Sequence, residues 1–524
     1  MKDDTSARLA SPLPLRPRPR VLVIGAGPGG LASAMLLQSA GAEVTVLEKE
    51  AAPGGRTGAL RQGGFTFDIG PTFFLYPEIP REIFSACGYD FDAEVDLIRL
   101  DPMYRLQFED GRRIDATADV DRLVEQVARI DAKDAANVPA YLEENRRKFE
   151  TFRPILQRPF LSPADLVRPD MLRALPKLRP WATVDTELNR WFQHPDVRVA
   201  FSFQSKYLGM SPFKCPSLYT IIAHIEYGFG VWHPRGGCNA ITAAMARVAG
   251  EMGVDIRLSE PVERLVLDGR RATGAVTAQG QYDADAVVMN ADFAHAMTTL
   301  VPDSARKKWT DKKLASKSYS CSTFMLYLGI EGSLPNMAHH TIAFSGDYAR
   351  NVEEIDAGQA PEDPTIYIQN GSATDPTLAP EGHSALYVLA PVGNLTGGVD
   401  WQAIAPAFRE KMLTRVSKLA GRDIRPDIRT EVMFTPDDWQ SKMSVYEGAT
   451  FNLAHNLGQM LNFRPRNRFE DIDGVYLTGG GTHPGSGLPT IFESARIASR
   501  LCADDLKLPD ADELTTRMPK EAAE

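Results

Sequence analysis

Four glycines in the run Gly25-Ala26-Gly27-Pro28-Gly29-Gly30, and a carboxylate at Glu48, are the residues whose types and spacing most directly state a chemistry. Gly25 permits a tight turn, Gly27 lets the backbone approach a pyrophosphate, and Gly30 lets a helix pack closely on a strand. An acid roughly 20 residues on is placed to accept hydrogen bonds from an adenosine ribose. A bare G-x-G-x-x-G also occurs in surface loops, so the flanking elements decide. Val21-Leu22-Val23-Ile24 is an apolar, β-branched run suited to a buried parallel strand. Leu31, Ala34, Met35, Leu36 and Leu37 keep helical spacing up to Gly41, and Glu43 to Leu47 reads as a second strand. The spacing predicts a β-α-β unit whose helix N-terminus offers free N–H groups to a dinucleotide.

Beyond that unit, Pro53-Gly54-Gly55-Arg56-Thr57 and the run Gly63 to Pro71 supply a second glycine turn, an arginine for phosphate and a further glycine-bearing backbone segment at Gly70. These stretches resemble the FAD-containing amine oxidase and carotenoid desaturase superfamily. The resemblance implies FAD, with Glu48, Lys49, Gly55, Arg56, Gly70 and Pro71 around it and the Val262 backbone against the adenine. Gly474 to Thr478 reads as a late strand running into Gly479-Gly480-Gly481-Thr482 and, after Gly487, Leu488-Pro489-Thr490. In the resembling family, Gly481, Thr482, Leu488, Pro489 and Thr490 border the flavin and its ribityl chain.

At 524 residues the chain exceeds one core, and two domains are expected. The expected fold class is α/β: a Rossmann-type FAD-binding domain, amine-oxidase-like, with an interleaved α+β substrate domain. Residues 1–19 are expected to be a disordered arm. Residues 20–105, 230–303 and 466–506 are assigned to the FAD-binding domain, 106–229 and 304–465 to the substrate domain, and 507–524 to a frayed tail. A net charge of −10 argues against nucleic acid as a partner. Five scattered cysteines form no C-x-x-C pair, which fits a reducing cytoplasm better than a disulfide framework or zinc site. His339-His340 lacks a third ligand at helical spacing and reads as a loop feature, so no metal site is expected. No run of about 18 apolar residues occurs, so no span of a bilayer is expected.

A stretch at about 146–180 departs from the acidic background. It holds nine basic residues against Glu150, Asp165 and Asp170, interleaved with Phe152, Ile155, Phe160, Val167, Met171 and Leu172. Such alternation suits a segment lying on an anionic membrane, peripherally and at the inner face of the cell membrane. A helical hairpin with its apolar side in the core is the alternative. Asp119 to Phe152 reads as helical throughout, and Asp110-Gly111 as the turn of a hairpin.

A single dinucleotide fingerprint leaves no second site for NAD(P)H, so the electrons come from an organic substrate. Phe201-Ser202-Phe203-Gln204-Ser205, the run Gly230 to Gly237, Ala338-His339-His340-Thr341 and Gly481-Thr482-His483-Pro484-Gly485 resemble the bacterial phytoene desaturase family, which includes the dehydrosqualene (diapophytoene) desaturases. That likeness runs from about Val21 to Leu506. It implies stepwise dehydrogenation of an apolar polyene by hydride transfer to flavin, with oxygen or a quinone as final acceptor. The aromatics of Trp191 to Tyr227 are then expected to line its tunnel. Asp165 and Arg168, in Phe160-Leu161-Ser162-Pro163-Ala164-Asp165-Leu166-Val167-Arg168, match a family pattern that faces the polyene; the alternative is an ion pair at i, i+3. Gly479-Gly480-Gly481 stands in place of the commoner Gly-Ala-Gly, and the run Gly485 to Ser494 resembles the versions acting on triterpene-derived precursors, which leans toward a dehydrosqualene-type substrate. A carotenoid oxidase or ketolase, and a non-catalytic FAD-binding lipid carrier, remain as rival readings.

Overall fold

Branching at Cβ holds Val21, Val23 and Ile24 extended, and the segment is strand β1 (Arg20–Ile24) of a computed structural model that describes residues 18–509. It leads into helix α1 (Pro28–Ser39) and strand β2 (Glu43–Leu47). β1 pairs in parallel with β2 on one side and with Ala286–Met289 on the other, Val21 opposite both Val44 and Ala286. Asp255–Arg257 and Val475–Leu477 complete this five-stranded parallel sheet at its edges. Helix α1 and the helices Asn239–Glu251 and Leu488–Leu506 pack over one face, while a three-stranded antiparallel sheet (Val262–Asp268, Arg271–Thr277, Gly280–Asp283) covers the other. Both faces being covered explains the near-continuous apolar strands.

A seven-stranded sheet forms the second body, in the order Ile428–Phe434, Ser322–Glu331, His383–Val392, Ile366–Asn370, His340–Ala343, Tyr104–Gln107, Arg113–Ala116. The expected hairpin across Asp110-Gly111 is its last pair. Helix Trp401–Ala420 covers one face through Trp401, Phe408 and Met412 against Phe324, Leu326 and Leu328. The other face looks toward the dinucleotide loops.

Several expectations change. Asp119 to Phe152 is three helices, Val120–Ala128, Ala132–Ala135 and Val138–Leu156, because Asp131 turns its carboxylate onto the Lys133 and Asp134 amides and starts a new helix. At the start of the chain, residues 1–17 of the expected arm lie outside the described residues. Arg18 is anchored, its guanidinium donating to the Gly41 and Ala42 carbonyls at 3.0 and 2.8 Å. At the other end residues 510–524 lie outside as well, but Leu508 is buried in the core beside α1 rather than frayed. His340 begins a strand instead of sitting in a loop.

The basic and apolar stretch places part of its apolar side in the core. Phe152, Ile155, Phe160 and Met171 are core. Most of its cations are paired: Arg146 and Arg147 with Glu143, Arg158 with Asp170, and Lys148, buried, with Glu187 at 2.9 Å. Val167 and Leu172, with Trp181 just beyond, stay 65, 52 and 65 % exposed. Arg173 and Lys177 have no ion-pair partner among the described residues. Among the described residues, no helix is long and apolar enough to cross a membrane.

Candidate functional site

Local backbone geometry builds the first wall. Gly25 has φ +97° and its N–H donates to the Leu47 carbonyl at 2.8 Å, which fastens the turn to β2. A Cβ on Gly30 would lie 2.0 Å from the Gly25 carbonyl oxygen, so no side chain fits there. Glu48 accepts from the Ala26 N–H at 2.6 Å and from the Glu50 N–H at 3.0 Å. Burial pushes its pKa up, against the pull of those two hydrogen bonds. Each carboxylate oxygen keeps a second lone-pair direction for a ribose hydroxyl.

These loops open into a cavity of about 470 Å³ lined by Gly25, Gly27, Glu48, Lys49, Gly55, Arg56, Gly70, Pro71, Val262, Gly481, Leu488 and Pro489, all expected from sequence. Gly29, Gly30, Thr482 and Thr490 stand behind it. Thr482 Oγ1 donates to the Pro465 carbonyl at 2.5 Å and Thr490 Oγ1 to the Ser486 carbonyl at 2.8 Å, so both hydroxyls serve the backbone. The glycine loop at 479–482 is braced by buried Arg464, which donates to the Gly480 and Thr482 carbonyls at 2.9 and 3.1 Å.

Arg56 tests the fit to a pyrophosphate. Its guanidinium donates to the Thr450 carbonyl at 2.8 Å and has no carboxylate within ion-pair distance among the described residues. Burial lowers its pKa, while Asp292 at longer range opposes that. Asn452, with its amide turned to satisfy both neighbours, accepts from Arg56 at 3.2 Å and donates to Asp292 at 2.6 Å. A partly buried cation with no carboxylate in ion-pair contact, beside a glycine turn on the same cavity as the N-terminus of α1, matches a dinucleotide's phosphates. Asn452, Asp292 and Asn290 carried no local sequence signal as site residues, since tertiary contact alone brings them to the loops.

The cavity continues along the free face of the seven-stranded sheet, past Thr72, Phe73, Tyr387, Tyr367, Leu389, Ile342 and Phe344. Tyr387 and Tyr327 donate to the Gly70 and Ile69 carbonyls at 2.8 and 2.5 Å, tying this sheet to the dinucleotide side. Of the aromatic stretch expected to line a tunnel, Phe203 and Tyr207 do so; Phe192 and Phe201 stack on each other at 4.9 Å in the core. Tyr207 donates at 2.7 Å to Glu226, a buried carboxyl that also accepts from Tyr104 and Gln204 at 3.1 and 3.0 Å. Burial pushes Glu226 up to about 7.

Asp165 and Arg168 are not brought to this cavity. Asp165 caps a short 3₁₀ turn (Pro163–Val167), accepting from the Leu161 and Ser162 amides at 3.0 and 2.8 Å. Arg168 is exposed and lies 3.8 Å from Asp170. The Ser162-to-Asp165 spacing is that of a capping box, which accounts for the acid without any chemistry. His339 and His340 hold Thr374, Gln369 and Tyr367 by hydrogen bonds, and no group of three metal-ligating side chains occurs among the described residues.

The family model for flavin containing amine oxidoreductase matches residues 28–503. A 4,4'-diapophytoene desaturase (4,4'-diapolycopene-forming) of Methylomonas sp is 43% identical over 92% of this chain and 94% of its own length. A 4,4'-diapophytoene desaturase (4,4'-diaponeurosporene-forming) of Staphylococcus aureus is 33% identical over 91% of this chain and 97% of its own. Among solved structures, an oxidoreductase from Methanosarcina mazei superposes with TM-score 0.62 at 18% identity, over 91% of this chain and 98% of that one. Putrescine oxidase bound to putrescine superposes with TM-score 0.57 at 14% identity, covering 94% of this chain and 99% of that one. With its glycine loops, its partly buried arginine and a long cavity between them and the sheet, the chain belongs to the flavin-containing amine oxidoreductases, in the bacterial phytoene desaturase family, and its cofactor is FAD.

Proposed function

We propose that this protein is an FAD-dependent carotenoid desaturase that dehydrogenates an apolar polyene precursor of the dehydrosqualene (diapophytoene) or phytoene type. One observation carries the reading: the dinucleotide loops and an apolar sheet face share a single continuous cavity. FAD supplies the two-electron acceptor for a hydride from an allylic carbon. The neighbouring carbon loses a proton and the double bond closes between them. Oxygen or a quinone is the final electron acceptor.

The protein's part is to orient the chain along Tyr387, Leu389 and Tyr367, exclude water and receive the proton. We assign that last role to the Tyr207–Glu226 pair, the Tyr207 oxygen taking the substrate's proton as its own passes along the hydrogen bond to the carboxylate of Glu226. Its carboxyl is poised to exchange a proton near neutrality, unlike Asp165, whose hydrogen bonds are spent on a cap. Replacing Glu226→Gln should lower kcat about 10²-fold, and an unchanged rate removes Glu226 from the mechanism.

An apolar substrate is delivered from a membrane. Exposed Val167, Leu172 and Trp181, flanked by Arg173 and Lys177, support peripheral attachment to an anionic surface at the cytoplasmic face.

The test is anaerobic addition of dehydrosqualene or phytoene to the flavin-loaded protein. Bleaching of the flavin, with product lighter by two hydrogen atoms per step, is expected. Flavin that stays oxidised makes the protein a carrier, and a product that has gained oxygen makes it an oxidase or ketolase.

A further inference from the structure

Residues 457–464 present two apolar side chains to solvent and end on a buried cation. Leu457 and Phe463 are 45 and 50 % exposed. Between them Met460 and Leu461 pack into the core, and Leu461 has φ +50°, a left-handed backbone that a bulky side chain rarely adopts. Arg464 follows Phe463 directly and is fully buried. Its guanidinium donates to the Gln459 and Leu453 carbonyls at 3.2 and 3.0 Å as well as to those of Gly480 and Thr482. One side chain therefore holds both the exposed segment and the glycine loop at 479–482.

Two neighbouring segments extend this exposed face. The turn Leu461–Phe463 packs against the turn Pro163–Val167, on which Val167 is exposed. The Gln459 side chain accepts from the Ser318 N–H at 3.0 Å and donates to the Ser318 carbonyl at 2.8 Å, which fixes the adjacent Lys317 beside the segment. Lys317 and Lys308 each stand 5.2 Å from the Trp309 ring centroid, and Lys313 lies on the short helix Asp311–Ala315. Glu470 neutralises Lys308 at 2.7 Å, whereas Lys313 and Lys317 have no ion pair among the described residues. Burial first, then the charges of Lys313 and Lys308, pull the Lys317 amine below its ordinary pKa. Lysines gathered without a carboxylate repel one another, a cost that an anionic surface removes.

We propose that Leu457, Phe463, Lys313 and Lys317 make a second contact with an anionic lipid surface, adjoining Val167, and that Arg464 couples this contact to the glycine loop at the flavin end of the cavity. The inference rests on the peripheral-membrane reading and deepens it. Lipid clamps the exposed segment, Arg464 passes the constraint to the loop, and FAD is held more tightly on the membrane than off it. An acidic protein fits less well, because bare apolar tips standing beside cations are the pattern of an interfacial segment. The coupling is reciprocal, so bound FAD tightens lipid binding by the same factor.

FAD-loaded protein is diluted alone, with phosphatidylglycerol vesicles and with phosphatidylcholine vesicles; released flavin is read by its fluorescence and vesicle binding by sedimentation. Phosphatidylglycerol should slow FAD loss about fivefold, the low end of coupling between two sites, and phosphatidylcholine should not. Leu457→Asp with Phe463→Asp should bind phosphatidylglycerol vesicles about tenfold more weakly and lose the slowing. Lys313→Glu with Lys317→Glu, a change confined to the cations, should do the same. Equal FAD loss from the wild type with and without phosphatidylglycerol overturns the coupling, whether or not a variant folds. Variants that bind vesicles as the wild type does overturn the contact. Failure of the membrane reading shows separately, as wild-type protein that sediments with neither vesicle.

Discussion

Glu226 is a carboxyl without a cation, held by Tyr104, Gln204 and Tyr207 and raised by burial from 4.5 to about 7. As pH climbs through that interval the unfolded chain ionises first, so the folded state loses stability. Linkage over this interval amounts to about 3 kcal/mol at most. Thermal melts at pH 5 and pH 8 should therefore show the wild type losing more stability than Glu226→Gln. A parallel loss in both removes the assignment of a raised pKa. Glu226 was invisible in the sequence because nothing local distinguishes it. Its partners come from Tyr104 and from the 203–208 turn, and only folding joins them. Glu48 and Arg56 were legible for the opposite reason, Arg56 adjoining a glycine turn and Glu48 standing just past β2 at a fixed distance from the glycine run. Asp165 caps the turn it sits in and lies away from the cavity, a placement that its local residue pattern does not show.

Elements were legible where one local rule dominated. A branched apolar run ending on glycine marked β1, further apolar runs marked its partners, and the Asp110-Gly111 turn marked the hairpin. Breaks inside the long helical stretch were not, because hydrophobic spacing continues across Asp131 while the backbone does not. Gly30→Ala would drive a methyl into the Gly25 carbonyl, so the variant should purify without flavin absorbance. Retained flavin would mean that the turn yields. Lys148 on helix Val138–Leu156 and Glu187 on Val184–Leu188 are an ion pair with side chains 2 and 0 % exposed, and Arg179 and Arg190 also reach Glu187 at 3.1 and 2.7 Å. Glu187→Ala strands these charges and should cost about 3–5 kcal/mol in unfolding experiments. The double replacement Lys148→Met, Glu187→Leu should restore part of it, which a purely steric loss would not.

At the level of the molecule, strands of both large sheets could be read from the order of apolar runs and glycine turns. The surface could not, because composition counts charges without showing which are paired. Of the cations in the 146–180 stretch, Arg173 and Lys177 are left beside exposed Leu172 and Trp181. Sedimentation with vesicles should show binding that rises with anionic lipid. Leu172→Asp with Trp181→Asp should weaken it at least tenfold, whereas equal binding to neutral vesicles would discount the cations. The continuous cavity has a last consequence, for the order of assembly. Flavin, once seated, is the inner stopper of the space a polyene fills, so protein stripped of its coenzyme has no stop at that end. Greasy chains then slide toward the glycine turns and block reloading, and recovery of yellow colour from apoprotein should slow as polyene is added first.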